Sequence, residues 1–296
     1  MWQPLLEHVI AGDFKSVARC MSFVENEAEG YEALLENLPL NDVCKTIGIT
    51  GAPGAGKSSL TDALIEAFLP DFAKIAVLCI DPSSPFNKGA LLGDRIRMSK
   101  WFSNQNVFIR SVATRGALGG LSAKTIELTD VLKAAGYNLI IIETVGVGQS
   151  EIDIAALADV TIVVLVPESG DEVQTMKAGV MEVGDIFVVN KSDRPGADGF
   201  VKNLNLQLSP SLHHKKEYLT IVKTIAIQKE GIDDLREAIK SKLSNLSATD
   251  GTKFLAEKAY RLISNKRMKD VDITELEQKL REDQSSNLYR FIKMYY

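Results

Sequence analysis

The sequence predicts an α/β fold, a mostly parallel sheet enclosed between two helical layers, and three observations carry that prediction. Between residues 43 and about 243, seven apolar runs alternate with helical patterns. The runs are continuously rather than alternately hydrophobic, which marks strands covered on both faces. The first run passes directly into a glycine-rich turn and then an amphipathic helix, "GITGAPGAGKSSL" at residues 48–60. In that setting G-x-x-x-x-G-K-[ST] is the signature of a loop that wraps phosphates. The fold class is therefore a three-layer α/β/α P-loop NTPase, with an N-terminal helical extension and a C-terminal helical arm.

Residues 1–42 are predicted to form two helices. Leu5, Leu6, Val9, Ile10, Val17 and Met21 recur at helical spacing, as do Tyr31, Leu34, Leu35 and Leu38. Pro39 and Asn41 close that section. The nucleotide-binding domain spans 43–246, its strands read from "VCKTIGIT", "KIAVLCI", "NVFIRSV", "NLIIIE", "VTIVVLV", "IFVVN" and "YLTIVKTIAI". Residues 247–296 carry charged helical patterns, with Phe254, Leu255, Ala259, Leu262 and Ile263, then Leu276, Leu280, Leu288, Phe291 and Ile292. Two or three helices are expected there, with too little apolar surface to stand alone.

Composition narrows the function before any motif is used. A net charge of -5 gives no electrostatic reason to expect nucleic acid or an anionic membrane as partner. Cys20, Cys44 and Cys79 are widely spaced, odd in number and without C-x-x-C spacing, so neither a disulfide framework nor a zinc site is indicated. The N-terminus has no basic-then-apolar signal pattern, and no apolar run approaches the roughly 20 residues of a membrane helix. A soluble, cytoplasmic protein is expected.

The loop itself comprises Gly51, Ala52, Pro53, Gly54, Ala55, Gly56, Lys57, Ser58 and Ser59. Its amides are suited to hold phosphates, Lys57 to reach the outer ones and Ser58 to ligate magnesium. Base identity comes from "VVNKSD" at 188–193. A carboxylate at Asp193 accepts from both N1–H and the exocyclic amine of guanine, whereas adenine offers no such pair of donors. Asn190 is expected to brace the loop and the stem of Lys191 to lie along the ring. The ligand predicted is GTP or GDP with Mg2+. Three acids follow apolar runs at the sheet edge where open parallel sheets bind ligands: Asp81 in "CIDPSSP", Asp94 in "LLGDRIRM" and Glu143 in "IIIETVGVGQSE". Their carboxylates suit a hard, hydrated cation. Gly146 offers an amide to the γ-phosphate. Arg95 and Arg115 are the candidates for an arginine acting in cis.

These segments, "GITGAPGAGKSS", "DPSSPFNKGALLGDRIRM", "RGALGGLSAKT", "ETVGVGQSE", "QTMKAGVMEVGD" and "VVNKSD", stand in one order and spacing. Together they resemble the methylmalonyl-CoA mutase-associated GTPases, the MeaB/ArgK family, over residues 1 to about 270. The resemblance implies a homodimeric GTPase of the SIMIBI class of P-loop proteins. It further implies a chaperone role, coupling GTP to cofactor loading and protection of an adenosylcobalamin-dependent acyl-CoA mutase, with a cobalamin adenosyltransferase as a candidate third member of the complex. By the same resemblance Lys57, Asp81, Glu143 and Lys177 carry catalysis, and Ser58, Asp81, Asp94 and Glu143 face the metal. Gln174, Lys177 and Gly179 match a segment that answers partner binding. Three departures from the family pattern stand out: Ala178 replaces a second lysine, Pro85, Phe86 and Asn87 replace a threonine- and glycine-rich run, and Ile225, Ala226 and Ile227 replace S-A-L beside the guanine.

Two other classes of function compete. A metallochaperone GTPase would use Cys and His clusters, whereas this chain offers His8, His213, His214 and the single Cys79 before Asp81. Stoichiometric nickel, cobalt or zinc binding would identify that class. A non-hydrolytic module, with GTP as a structural ligand, would show negligible turnover with every mutase offered.

Overall fold

The computed structural model describes residues 2–39, 41, 43–81, 98–113, 123–144, 153–168, 183–208, 220–245, 248–282 and 287–295. The chain divides into two compact units, Met1–Phe254 and Leu255–Tyr296.

All seven apolar runs form strands: β1 (Lys45–Gly51), β2 (Ile75–Asp81), β3 (Val107–Ala113), β4 (Leu139–Thr144), β5 (Val160–Leu165), β6 (Ile186–Asn190) and β7 (Thr220–Thr224). They make one sheet in the order β3-β2-β4-β1-β5-β6-β7, and every neighbouring pair is parallel. The expected strand at 218–227 is shorter than its apolar run. It ends at Thr224, and Ala226–Gln228 form a 3-10 turn instead.

Helices α4 (Lys57–Phe68), α5 (Ala123–Ala134), α6 (Ala197–Leu208) and α7 (Ile232–Ser244) clothe the sheet. Side chains alternate across it as the pleat requires. Ile162 and Val164 of β5 join Leu60, Leu64 and Phe68 of α4 and Leu235 and Ile239 of α7 in one core. Val163 and Leu165 turn the other way, onto Phe200, Leu204 and Leu208 of α6. Each such fully buried side chain contributes on the order of 1.5–3 kcal/mol relative to exposure. Coverage on both faces is why the strand sequences lack a polar alternation.

The N-terminal section holds three helices where the periodicity suggested two: α1 (Gln3–Ile10), α2 (Phe14–Glu25) and α3 (Tyr31–Glu36). The apolar pattern runs through 5–21 unbroken, but the backbone does not. Gly12 takes a left-handed φ of +74° and Asp13 caps α2, accepting from the Ser16 amide at 2.8 Å. A glycine stop followed by an aspartate cap outweighs continuous periodicity. These helices cover the edge strand β3. Phe14 packs against Phe108 with tilted rings whose centroids lie 5.0 Å apart, and the Arg110 guanidinium donates to Ala18 O at 3.1 Å and pairs with Glu25 at 2.6 Å.

The second unit contains most of α8 (Ala248–Arg267), then α9 (Ile273–Glu282) and α10 (Leu288–Phe291). Phe291 is buried against Tyr295, while Leu255, Tyr260, Ile263, Met268 and Ile273 are exposed. Among the described residues no helix is long and apolar enough to cross a membrane.

Candidate functional site

β1 leaves the sheet at Gly51, whose φ is +141°. A Cβ there would lie 2.1 Å from the Val164 carbonyl oxygen, so no other residue fits the exit. Gly56 ends the loop at φ +92°, and a Cβ would fall 2.3 Å from Asn190 Nδ2. Between these glycines, Pro53 and Gly54 are exposed and Ala55 is buried. The chain then enters α4 at Lys57, where the N-terminal end of the helix and its dipole favour an anion. Lys57 is only 7% exposed. Its Nζ reaches back to donate to Gly51 O at 2.7 Å and Ala52 O at 3.0 Å, so the ammonium lies against the loop. Ser58 is buried beside it and Ser59 is half-buried.

β4 lies next to β1 and places Glu143 level with Ile49 on one side and with Cys79 of β2 on the other. Glu143 is 4% exposed, and both of its oxygens are engaged by α4. Ser58 Oγ donates to Oε1 at 2.6 Å, and Thr61 Oγ1 donates to Oε2 at 2.9 Å. Thr61 is absent from the residues that sequence reasoning selected. Its signal was a hydroxyl three positions after Ser58, hence on the same helix face, where Leu60 and Leu64 mark the buried side. A further buried pair, Thr144 Oγ1 to Thr50 Oγ1 at 3.0 Å, ties the ends of β4 and β1 together.

Asp81 ends β2, two residues beyond the level of Glu143, at the same edge of the sheet. Asp94, Gly146, Lys177, Gln174, Ala178 and Gly179 lie outside the described residues, as do Pro85, Phe86, Asn87, Arg95 and Arg115. For a divalent cation, Ser58 Oγ and the Glu143 carboxylate form a hard-oxygen set at the loop, which fits magnesium's preference.

The residues expected at the base converge from β6 and the turn after β7. Asn190, 2% exposed, donates from Nδ2 to Ala55 O at 2.8 Å. Its Oδ1 accepts from Thr224 Oγ1 and from the Ala226 amide, both at 3.1 Å. One side chain thus fastens the phosphate loop, β7 and the following turn. Lys191, at a left-handed φ of +56°, donates from Nζ to Gly54 O at 2.8 Å. Asp193 is exposed, not buried, so its carboxylate is open to a ligand from the solvent side. Ile225 and Ala226 are buried, whereas Ile227 is 79% exposed. Arg194 pairs with Glu168, and that hydrogen bond holds the Glu168 carboxyl below its ordinary range. On the outer face of α4, Glu66 binds Lys229 from the turn after β7 and also Lys100, at 3.1 Å for the latter.

Among the described residues no group of three or more His, Cys, Asp or Glu side chains is arranged to hold a metal ion.

The family model for methylmalonyl Co-A mutase-associated GTPase MeaB matches residues 17–284. The chain belongs to the MeaB family. A relative from Pyrococcus abyssi that carries a GTPase name is 46% identical over 244 residues, covering 81% of this chain and 75% of the relative. The GTPase ArgK of Escherichia coli is 35% identical over 237 residues, covering 77% and 72%. A fused isobutyryl-CoA mutase of Geobacillus kaustophilus is 39% identical over 218 residues, 70% of this chain but 20% of that protein. Among solved structures, a LAO/AO transport system kinase superposes with a TM-score of 0.66 at 25% identity, over 99% of this chain and 95% of the other. This MeaB-family protein is thus a GTPase built on a P-loop fold.

Removing the buried acid tests its place in that activity. In Glu143→Ala the expected loss is in turnover, by roughly two orders of magnitude, with less than about a tenfold change in GTP affinity. Single-turnover hydrolysis and calorimetry separate the two, and equal losses would place Glu143 away from the metal.

Proposed function

We propose that this GTPase is a chaperone of an adenosylcobalamin-dependent acyl-CoA mutase of the methylmalonyl-CoA mutase type, assisting cofactor loading and protecting the loaded enzyme. The observation that carries this reading is the match to a segment of a fused isobutyryl-CoA mutase, in which a stretch 39% identical to this chain shares one polypeptide with a mutase. The family description, a methylmalonyl Co-A mutase-associated GTPase, supports it further.

In this reading Lys57 and the loop from Gly51 to Ser59 hold the phosphates, with the Gly146 amide meeting the γ-phosphate. Ser58, Asp81, Asp94 and Glu143 would hold Mg2+, which would supply charge neutralisation for the triphosphate. Asp193 selects guanine, Asn190 and Lys191 support it, and the turn at Ile225, Ala226 and Ile227 closes the base site. The stretch with Gln174, Lys177 and Gly179 receives the mutase. The protein is a cytoplasmic homodimer joined through its C-terminal arm, which the exposed Leu255, Tyr260, Ile263, Met268 and Ile273 support. No nucleic acid or membrane partner is involved, and a cobalamin adenosyltransferase is a further candidate partner.

Intrinsic hydrolysis is slow and a partner mutase raises it. The test is GTP turnover with and without a cobalamin-dependent acyl-CoA mutase. Stimulation by at least about an order of magnitude is expected, and unchanged turnover with every such mutase supplied would refute the chaperone reading.

A further inference from the structure

We propose that Thr61 is a positioning residue of the GTPase site, fixing the Glu143 carboxylate so that its other oxygen stays on Ser58 at the magnesium seat. The inference rests on the reading of Glu143 as a metal-side acid and extends it to the residue that holds that acid's second oxygen.

The geometry points to Thr61 in three steps. Ser58 and Thr61 occupy positions i and i+3 of α4, so their hydroxyls project from one helix face. Glu143 arrives from β4 with its two oxygens divided between them, Oε1 to Ser58 at 2.6 Å and Oε2 to Thr61 at 2.9 Å. All three residues are buried, Thr61 completely. A terminal carboxylate torsion is broad and roughly two-fold. A donor on each oxygen removes that freedom, because rotation would break both bonds at once. Burial adds weight, since a hydrogen bond to a buried carboxylate oxygen is costlier to lose than one at the surface.

Preorganisation of this kind matters most for a cation that demands near-ideal octahedral geometry and tolerates little displacement of its oxygens. Second-layer partners that orient ligand groups typically change affinity by about 10- to 100-fold when removed. Thr61 holds that place for Glu143. A purely structural hydroxyl would serve folding alone and would leave the magnesium dependence untouched.

The test compares the full-length protein with Thr61→Val, Thr61→Ser and Glu143→Ala. Equilibrium affinity for a fluorescent GDP analogue is measured across a MgCl2 titration and again in excess EDTA. Thr61→Val keeps the volume and removes the donor. Its magnesium half-saturation is expected to rise about tenfold with affinity in EDTA unchanged, and Thr61→Ser should return the half-saturation to within about twofold of the parent. A shift in Glu143→Ala with none in Thr61→Val overturns the role of Thr61 while leaving the metal-side acid in place. No shift in either variant overturns the reading of Glu143 itself, and the proposal with it. Equal losses with and without magnesium, or the same loss in Thr61→Ser as in Thr61→Val, reduce Thr61 to packing. If Thr61→Val does not fold, Thr61→Ala, which also removes the donor, takes its place in the same comparison.

Discussion

Replacing Lys57 with alanine is expected to weaken GTP binding by about 3 kcal/mol or more, roughly a hundredfold or greater in Kd. The reason lies in what the ammonium does at the loop. It is nearly buried, and its hydrogens rest on Gly51 O and Ala52 O, so the charge is held beside the first turn of α4. Phosphate oxygens arriving at that turn meet a cation already in place, and bonds to charged acceptors are the strong ones. The fold should survive, because the bonds from Nζ to Gly51 O and Ala52 O fall at the end of β1 and in the loop rather than within a strand pairing. Calorimetry with GTP reads the affinity, and thermal unfolding without nucleotide reads the fold. Unchanged affinity would mean that the loop does not hold the triphosphate.

The second large effect is a change of base. Asp193→Asn is expected to cost about two orders of magnitude in GTP affinity and to raise affinity for xanthosine triphosphate by a similar factor. The carboxylate offers two acceptors, matched to the N1–H and 2-amino donors of guanine. Asparagine keeps one acceptor and gains a donor, and xanthine presents N1–H beside a C2 carbonyl that needs that donor. Asp193 is exposed, so the substitution perturbs no core and the readout is recognition rather than folding. Competitive titration of the two triphosphates measures it. Retained preference for GTP would refute the contact.

Much of this site was legible because its signals are local. A strand followed by a glycine-rich turn and Lys57-Ser58 is a statement about consecutive backbone conformations, and the left-handed φ at Gly54 and Gly56 requires what the sequence supplies. Glu143 could be placed at a strand end from its apolar run. Its partners could not, because hydrogen bonding to Ser58 and Thr61 depends on β4 lying beside β1 under α4, across separations of 85 and 82 residues. The same holds for Asn190, whose reach to Ala55 spans 135 residues. The break between α1 and α2 was missed for the opposite reason: the apolar spacing continues through Gly12 and Asp13, and only the backbone angle and the cap reveal the stop.

By itself the sequence determined that the chain forms buried strands and carries a glycine-rich turn and a later acid in the pattern of a P-loop GTPase. Periodicity and turn chemistry act between near neighbours, so they can be read along the chain. Only the tertiary structure decided that β1 sits between β4 and β5, that a threonine shares Glu143 with Ser58, and that one asparagine ties the glycine-rich loop to the turn after β7. Those outcomes depend on which apolar faces pack together and in what register, and that choice is made between segments distant in sequence.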